Sequence, residues 1–414
     1  MTSEFERNLE KYADLAIKVG VNLQPGQRLW IRAISLDVAP LVRKVVERAY
    51  EHGSRLVSVL WEDEHLDKIR YQYAPRDSFE EFPTWTSDGA RLSAERGDAC
   101  LFISGRDPAL LKGVDSELIT TYQRTWSKHF KPFNDLRMKG FVQWSIVCPP
   151  TQRWAEKVFP NETPQDAEAH LWEAVFKTCR LDEPDPVAFW RKQVANLDRR
   201  KEFMTAKGYT ALHFKGPGTD LRVGLPEGHM WLNANFMTKS GVSSLVNIPS
   251  EEVFTLPHKD KVNGTVTATK PLSYAGSLIE NFSLTFSEGR VVSFSAEKGE
   301  EVLQGILEID EAAKFLGEVA LVPHKTPISQ MNVLFLNTLY DENASNHLAL
   351  GTGIRGSLEG GTDMTEDEFM RAGGNVSLTH VDFMFGSGSI DVDGITDDGV
   401  AEPVVRGGEW AFDV

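Results

Sequence analysis

The sequence predicts a two-part protein, α/β followed by α+β. Residues 1–185 form an N-terminal α/β domain on a parallel sheet, and residues 186–414 form a C-terminal α+β domain with a largely antiparallel sheet. Three observations predict this. Between Phe5 and Val147, amphipathic helical segments alternate with short apolar runs, the β-α-β rhythm of a parallel sheet. From Thr163 to Lys207 the pattern is mainly helical, interrupted by Pro184 and Pro186, and the domain boundary falls in this stretch. From Thr210 onward short strands and turns dominate.

Taken in order, Phe5 to Val19 carries the 3.6-residue apolar period of a helix, Pro25-Gly26 marks a turn, and Arg28 to Ile34 is a strand. Ala39 to His52 is a helix that stops near Gly53, and Leu56 to Trp61, Ala99 to Ser104 and Val142 to Val147 are further strands. In the second half the strands are Ala211 to Lys215, Asp220 to Gly224, Val262 to Thr269, Phe282 to Phe286 and Val291 to Ala296. Ser287-Glu288-Gly289-Arg290 turns a hairpin between the last two. A helix is expected from Glu300 to Leu316, and Met331 to Leu336 reads as a strand.

Composition narrows the function. Hydrophobic residues make up 41% and charged residues 25% of 414 residues, the balance of a water-soluble globular chain with enough length for a full core. The net charge of −16 argues against nucleic acid and anionic membrane as partners, since both demand a basic surface. The three cysteines, Cys100, Cys148 and Cys179, are scattered without a C-x-x-C pair, which fits a reducing, cytoplasmic setting and argues against a disulfide framework. The N-terminal MTSEFERNLEKY lacks the apolar core of a signal peptide, and no run approaches the length of a membrane span. No G-x-G-x-x-G or Walker motif follows any of the N-terminal strands, so a nucleotide role there lacks its phosphate cradle.

The chemistry-bearing residues lie in the second half. In Leu378-Thr379-His380-Val381-Asp382-Phe383-Met384, read as a strand, His380 and Asp382 share one face and Val381 and Phe383 the other. An imidazole and a carboxylate on an apolar strand are costly to bury unless paired with each other or bound to metal, and the segment alone leaves both readings open. Tyr340-Asp341-Glu342-Asn343-Ala344-Ser345-Asn346-His347 is a polar cluster placed just past the expected Met331 to Leu336 strand. His347 is expected on a short helical turn that Gly351 ends. Glu252, at the start of a strand-like segment, and Glu318, at an expected helix-to-strand junction, are not singled out by spacing. Together these groups are the ligand mix suited to a pair of divalent cations.

Several segments in one order resemble the catalytic domain of the aminopeptidase T and aminopeptidase S family of metallopeptidases. They are Glu252-Val253-Phe254-Thr255, Pro257-His258-Lys259-Asp260, Asn263-Gly264, Thr269-Lys270-Pro271-Leu272, Leu316-Gly317-Glu318, Asp341-Glu342-Asn343-Ala344, His347-Leu348-Ala349-Leu350-Gly351, Thr379-His380-Val381-Asp382-Phe383-Met384 and Arg406-Gly407-Gly408-Glu409-Trp410. The likeness spans Asn247 to Trp410, with a looser match in the first half around Val19 to Gln27. It implies a C-terminal metallopeptidase domain and a homodimer acting on peptides with a free N-terminus through two divalent ions (zinc, cobalt, manganese or magnesium). It implies Glu252, Glu318, His347, His380 and Asp382 as metal ligands, and Glu342 as a further ligand or the general base. His258 is a candidate for the surroundings of the site.

One position departs from the family. A tyrosine is expected seven residues after the first ligand histidine, and Ile354 stands there. A phenol beside the metals could donate a hydrogen bond to the transition state, whereas Ile354 cannot. Arg355, Tyr340 and Thr352 are the candidate replacement donors. Three functions follow as expectations: an aminopeptidase, a metal-dependent hydrolase of another amide or ester, and a metal-binding dimer without catalysis.

Overall fold

The computed structural model describes residues 3–274 and 276–414. Residues Met1–Lys192 with Ala234–Pro249 make one compact unit, and Gln193–Asn233 with Ser250–Val414 make a second.

The first unit is built on a five-stranded sheet in the order Leu56–Trp61, Arg28–Ala33, Ala99–Ile103, Trp144–Val147, Asn247–Ile248, parallel throughout. Leu29, Trp30, Ile31 and Ala33 are all buried, as expected of a central strand covered on both faces. The expected helix over 39–52 is Ala39–Glu51. Pro40 sits in its first turn, where a missing N–H costs nothing, and Leu41, Val42, Val45 and Ala49 form its buried stripe. Gly53 ends it with φ near +88°, a left-handed conformation that favours glycine. The predicted helix at the start of the chain is Ser3–Leu15, continuing through a π-helical turn to Gly20.

Among its described residues the second unit contains a two-stranded antiparallel sheet, Leu272–Tyr274 with Ser277–Ile279, and two larger ones. The larger runs Arg290–Ser295, Ser283–Ser287, Val262–Thr267, Thr219–Gly224, Ala211–Gly216, Asp391–Ile395, Ala401–Arg406, Glu409–Trp410. The predicted hairpin forms, with Glu288 and Gly289 both at positive φ. The smaller sheet, Val253–Thr255, Leu316–Leu321, His347–Gly351 and His380–Met384, carries the site. Its apolar face (Val319, Leu321, Leu348, Leu350, Val381, Phe383) packs into the main core of this unit.

Three expectations are corrected. The helix expected over 300–316 ends at Leu307. Asp310 then caps a separate turn, its Oδ1 accepting from Ala313 N at 2.7 Å, and Leu316 already belongs to a wholly buried strand. Met331 ends the helix Pro327–Met331, and residues 332–336 are a loop, not a strand. Asp341 accepts from Phe335 N within it (2.8 Å) and from Asn337 N just after it (3.0 Å), and Asn332 and Leu336 take positive φ. His347 opens a strand instead of riding on a helical turn. Ladders on both sides, to Leu316–Leu321 and His380–Met384, override the local preference of a short segment.

Candidate metal centre

The site is a consequence of sheet register. Glu318, Ala349 and Asp382 occupy one cross-strand row, and His380 stands opposite Gly351. The period of two puts His347 on the face of Ala349 and His380 on the face of Asp382. Glu252 lies just before the edge strand Val253–Thr255 that pairs with Leu316–Leu321. Four segments distant in sequence thus deliver five ligand-type side chains to one face. A bulge between Leu316 and Glu318 sets the glutamate's direction. Gly317 permits it, since a Cβ there would lie 2.2 Å from Thr352 O.

Two groups could each hold a metal ion: Glu252, Glu318 and His347, and Glu318, His380 and Asp382. Glu318 belongs to both. Its Oε1 lies 3.7 Å from His347 Nε2, and its Oε2 lies 3.3 Å from His380 Nε2. His347 Nε2 is also 3.2 Å from Glu252 Oε2, and His380 Nε2 is 3.4 Å from Asp382 Oδ1. The small side chain of Ala349, between Glu318 and Asp382 in the row, leaves the space open.

The donor set fits divalent cations on two counts. First, His347 Nδ1 donates to Ser345 O (3.1 Å) and His380 Nδ1 to Thr352 O (2.8 Å). This leaves both Nε2 lone pairs facing carboxylate oxygens, an arrangement that requires a proton or a metal between them. Second, Glu252 Oε2 is sealed from solvent, and the group facing it, His347 Nε2 at 3.2 Å, does not meet it in hydrogen-bond geometry. A buried, unpartnered carboxylate oxygen is costly until a cation meets it.

Electrostatics point the same way. Burial raises Glu252 above the usual carboxylate range. Glu318 is pushed up by burial, but the imidazoles of His347 and His380 beside it outweigh this and hold it below that range. Both histidines resist the effect of burial because the surrounding carboxylates keep them protonated well above free imidazole. Glu342 is pushed well above the usual range, first by burial and then by the charges of Glu252 and Asp382. It therefore lies within electrostatic reach of the cluster while belonging to neither ligand triad.

The remaining candidates are placed as follows. Tyr340 is fully buried and stacked on Phe335, ring centroids 4.8 Å apart. Arg355 donates from Nη1 to Met364 O at 2.8 Å and lies over the Phe369 ring, so it braces its own loop. Ile354 is half-buried, at the start of the Arg355–Ser357 turn. His258 accepts from Asp260 N through Nδ1 at 3.2 Å and packs against Gly373.

Sequence reasoning did not single out Asn343. It is fully buried; its Oδ1 accepts from Glu251 N at 2.6 Å and its Nδ2 donates to Leu339 O at 2.9 Å. It ties the backbone beside Glu252 to the turn that carries Glu342. Asn346 acts similarly, its Oδ1 accepting from Val322 N at 2.7 Å next to His347. An asparagine in a polar cluster reads as a loop residue, and only the distant backbone partner reveals its role.

Residues 5–410 match the family model described as thermophilic metalloprotease (M29). The chain is 45% identical to aminopeptidase AmpS of Bacillus subtilis over 99% of both chains. It is 41% identical to aminopeptidase T of Thermus thermophilus over 98% of this chain and 99% of that one. The solved structure of wild-type AmpT from Thermus thermophilus superposes with a TM-score of 0.92 at 40% identity, covering 99% of this chain and 100% of that one.

Proposed function

The chain belongs to the thermophilic metalloprotease (M29) family and is a metallo-aminopeptidase. From that premise we propose that it removes N-terminal residues from unblocked peptides with two divalent cations, which Glu252, Glu318, His347, His380 and Asp382 would hold. The carrying observation is that Glu318 turns one oxygen toward each histidine. Glu252 and His347 complete one position, and His380 and Asp382 the other. Such cations polarise a peptide carbonyl and lower the pKa of water.

The chain's own groups have distinct tasks. Ser345 O and Thr352 O hold the imidazoles in the tautomer that keeps Nε2 free. Glu342, close by but outside the ligand triads, takes a proton from the attacking water and returns it to the leaving amine. The mixed carboxylate–imidazole set accepts zinc, cobalt or manganese. The resemblance implies a homodimer, and the sparse, unpaired cysteines fit a cytoplasmic setting.

Metal-loaded protein should release free amino acid from an unblocked peptide but not from its N-acetylated counterpart. Equal rates on both, or no release from either, would overturn the proposal. The departure at Ile354 supports a second reading, hydrolysis of a different amide or ester, which a substrate panel separates from the first.

Metal uptake should also release protons. The histidines and Glu342 hold protons to higher pH than free side chains do, so protons compete with metal more strongly as pH falls. Apparent affinity should rise with pH by about tenfold per unit for each proton displaced, levelling once the groups are deprotonated. Calorimetry in buffers of different ionisation enthalpy reads this directly. A pH-independent affinity with no proton release counts against the assignment.

Asn343→Leu should weaken metal binding ~10–100-fold, because it frees the backbone that places Glu252. Equilibrium dialysis of the variant checks this, with Asn343→Asp, which keeps the acceptor for Glu251 N, recovering part of the loss. Unchanged affinity would show that the asparagine serves folding alone.

A further inference from the structure

Arg137, in the last turn of the helix Ser116–Met138, presents an unusual electrostatic situation in the first unit. Its guanidinium lies over the Trp144 ring, 4.2 Å from the centroid, and 5.7 Å from that of Phe102. Its Nε is sealed from solvent and meets no acceptor among the described residues. Trp144 Nε1, in the other half of the same stack, is likewise sealed and unpartnered. Two strong donors side by side without acceptors are costly.

Among the described residues no acidic group pairs with this cation. Asp135 is held by Lys131 at 3.0 Å and Asp98 by Arg96 at 2.6 Å. The nearby Cys100 thiol is pushed up to about 12 by burial and is therefore neutral. Burial pulls Arg137 itself down to about 10. Stacking on tryptophan offsets part of this cost but supplies no acceptor for either N–H.

The surroundings are apolar and reachable. Arg137 as a whole is only partly buried, although its Nε is sealed. Phe236 packs edge-on to Trp144 at 6.3 Å. Lys239 N donates to Gly140 O at 2.8 Å, which brings the hairpin of Asn235–Met237 and Ser243–Leu245 beside the end of the helix. Met138, Phe141 and Met237 on these segments are 49%, 46% and 59% exposed, high values for such side chains.

We propose that Arg137 and Trp144 form a binding site for a carboxylate carried next to an apolar side chain, as on a free apolar amino acid or the C-terminal residue of an apolar peptide. The planar guanidinium matches a carboxylate in two-point contact, the Trp144 indole stacks on that plane, and the aromatic and methionine surface takes the apolar part. The site uses none of the metal-centre residues, so it stands or falls independently of the proposed function.

N-acetyl-leucine and N-acetyl-leucinamide differ at the carboxylate and carry no free amine. Equilibrium dialysis of the full-length, metal-loaded protein should show saturable binding of the acid and at least ~10-fold weaker binding of the amide, the change expected for one charged hydrogen bond. Arg137→Met, which keeps the apolar stem, should lose the acid by a similar factor, and Trp144→Phe should weaken it. Arg137→Lys, which retains charge without the fork, should fall between wild type and Arg137→Met and guards against a folding defect in the methionine variant. N-acetyl-alanyl-leucine binding more tightly than N-acetyl-leucine identifies a peptide end as the ligand, and equal binding identifies a free amino acid. No saturable binding, equal binding of acid and amide, undiminished binding to a folded Arg137→Met, or acetate binding as tightly as N-acetyl-leucine would overturn the proposal.

Discussion

Glu318→Gln is expected to empty both metal positions at once. The glutamate is the one residue common to the two ligand triads, and its two oxygens face different histidines. An amide has one weak acceptor oxygen and an NH₂ that would point at one of the Nε2 atoms, so it serves neither position well. Metal analysis after dialysis should show nearly no bound ion. Release of N-terminal residues should fall ~1000-fold or more, since Lewis-acid stabilisation contributes several kcal/mol and each 1.4 kcal/mol is tenfold. Glu252→Gln and Asp382→Asn, each confined to one triad, should instead leave one ion bound. A Glu318→Gln protein that still holds one tight ion would show that the positions are independent and that the shared carboxylate is misassigned.

The second large effect is expected at Ile354. In the proposed reading the family's phenol is missing here, and a single oxyanion donor is worth ~100–1000-fold in rate. Ile354→Tyr should raise kcat on an unblocked peptide by a comparable factor with little change in bound metal. The backbone there, φ −80° and ψ 105°, is ordinary extended geometry that tyrosine adopts without strain. Two replacement donors weighed from the sequence are committed elsewhere: Arg355 binds Met364 O and stacks on Phe369, and Tyr340 is buried against Phe335. No gain in Ile354→Tyr, in a variant that keeps its metal, would mean that the phenol does not limit this enzyme. It would then favour a substrate other than an N-terminal peptide bond.

Other parts of the molecule separate local from distant causes. The alternation in His380–Met384 was legible because a strand buried on one face must present residues with a period of two, and Val381 and Phe383 do enter the core. The helix over 39–51 was legible for the analogous helical reason. The strand expected at Met331–Leu336 was not there, because Asp341 competes for its amides, and an apolar run alone cannot report that competitor. His347 was expected on a helical turn because the local residues allow one. Pairing on both sides makes it a strand.

The sequence by itself therefore determined the two-part α/β and α+β character, the main periodic elements, and the shared face of His380 and Asp382. Its family resemblance supplied the other candidate ligands. The tertiary structure alone decided that Glu318 stands between two histidines, that Asn343 ties Glu252 to the turn of Glu342, and that Arg355 faces its own loop. Periodicity is a property of neighbouring residues, so a sequence carries it openly. A metal centre assembled from four segments depends on strand register and on one bulge beside Gly317, and those are set by packing between residues far apart in the chain.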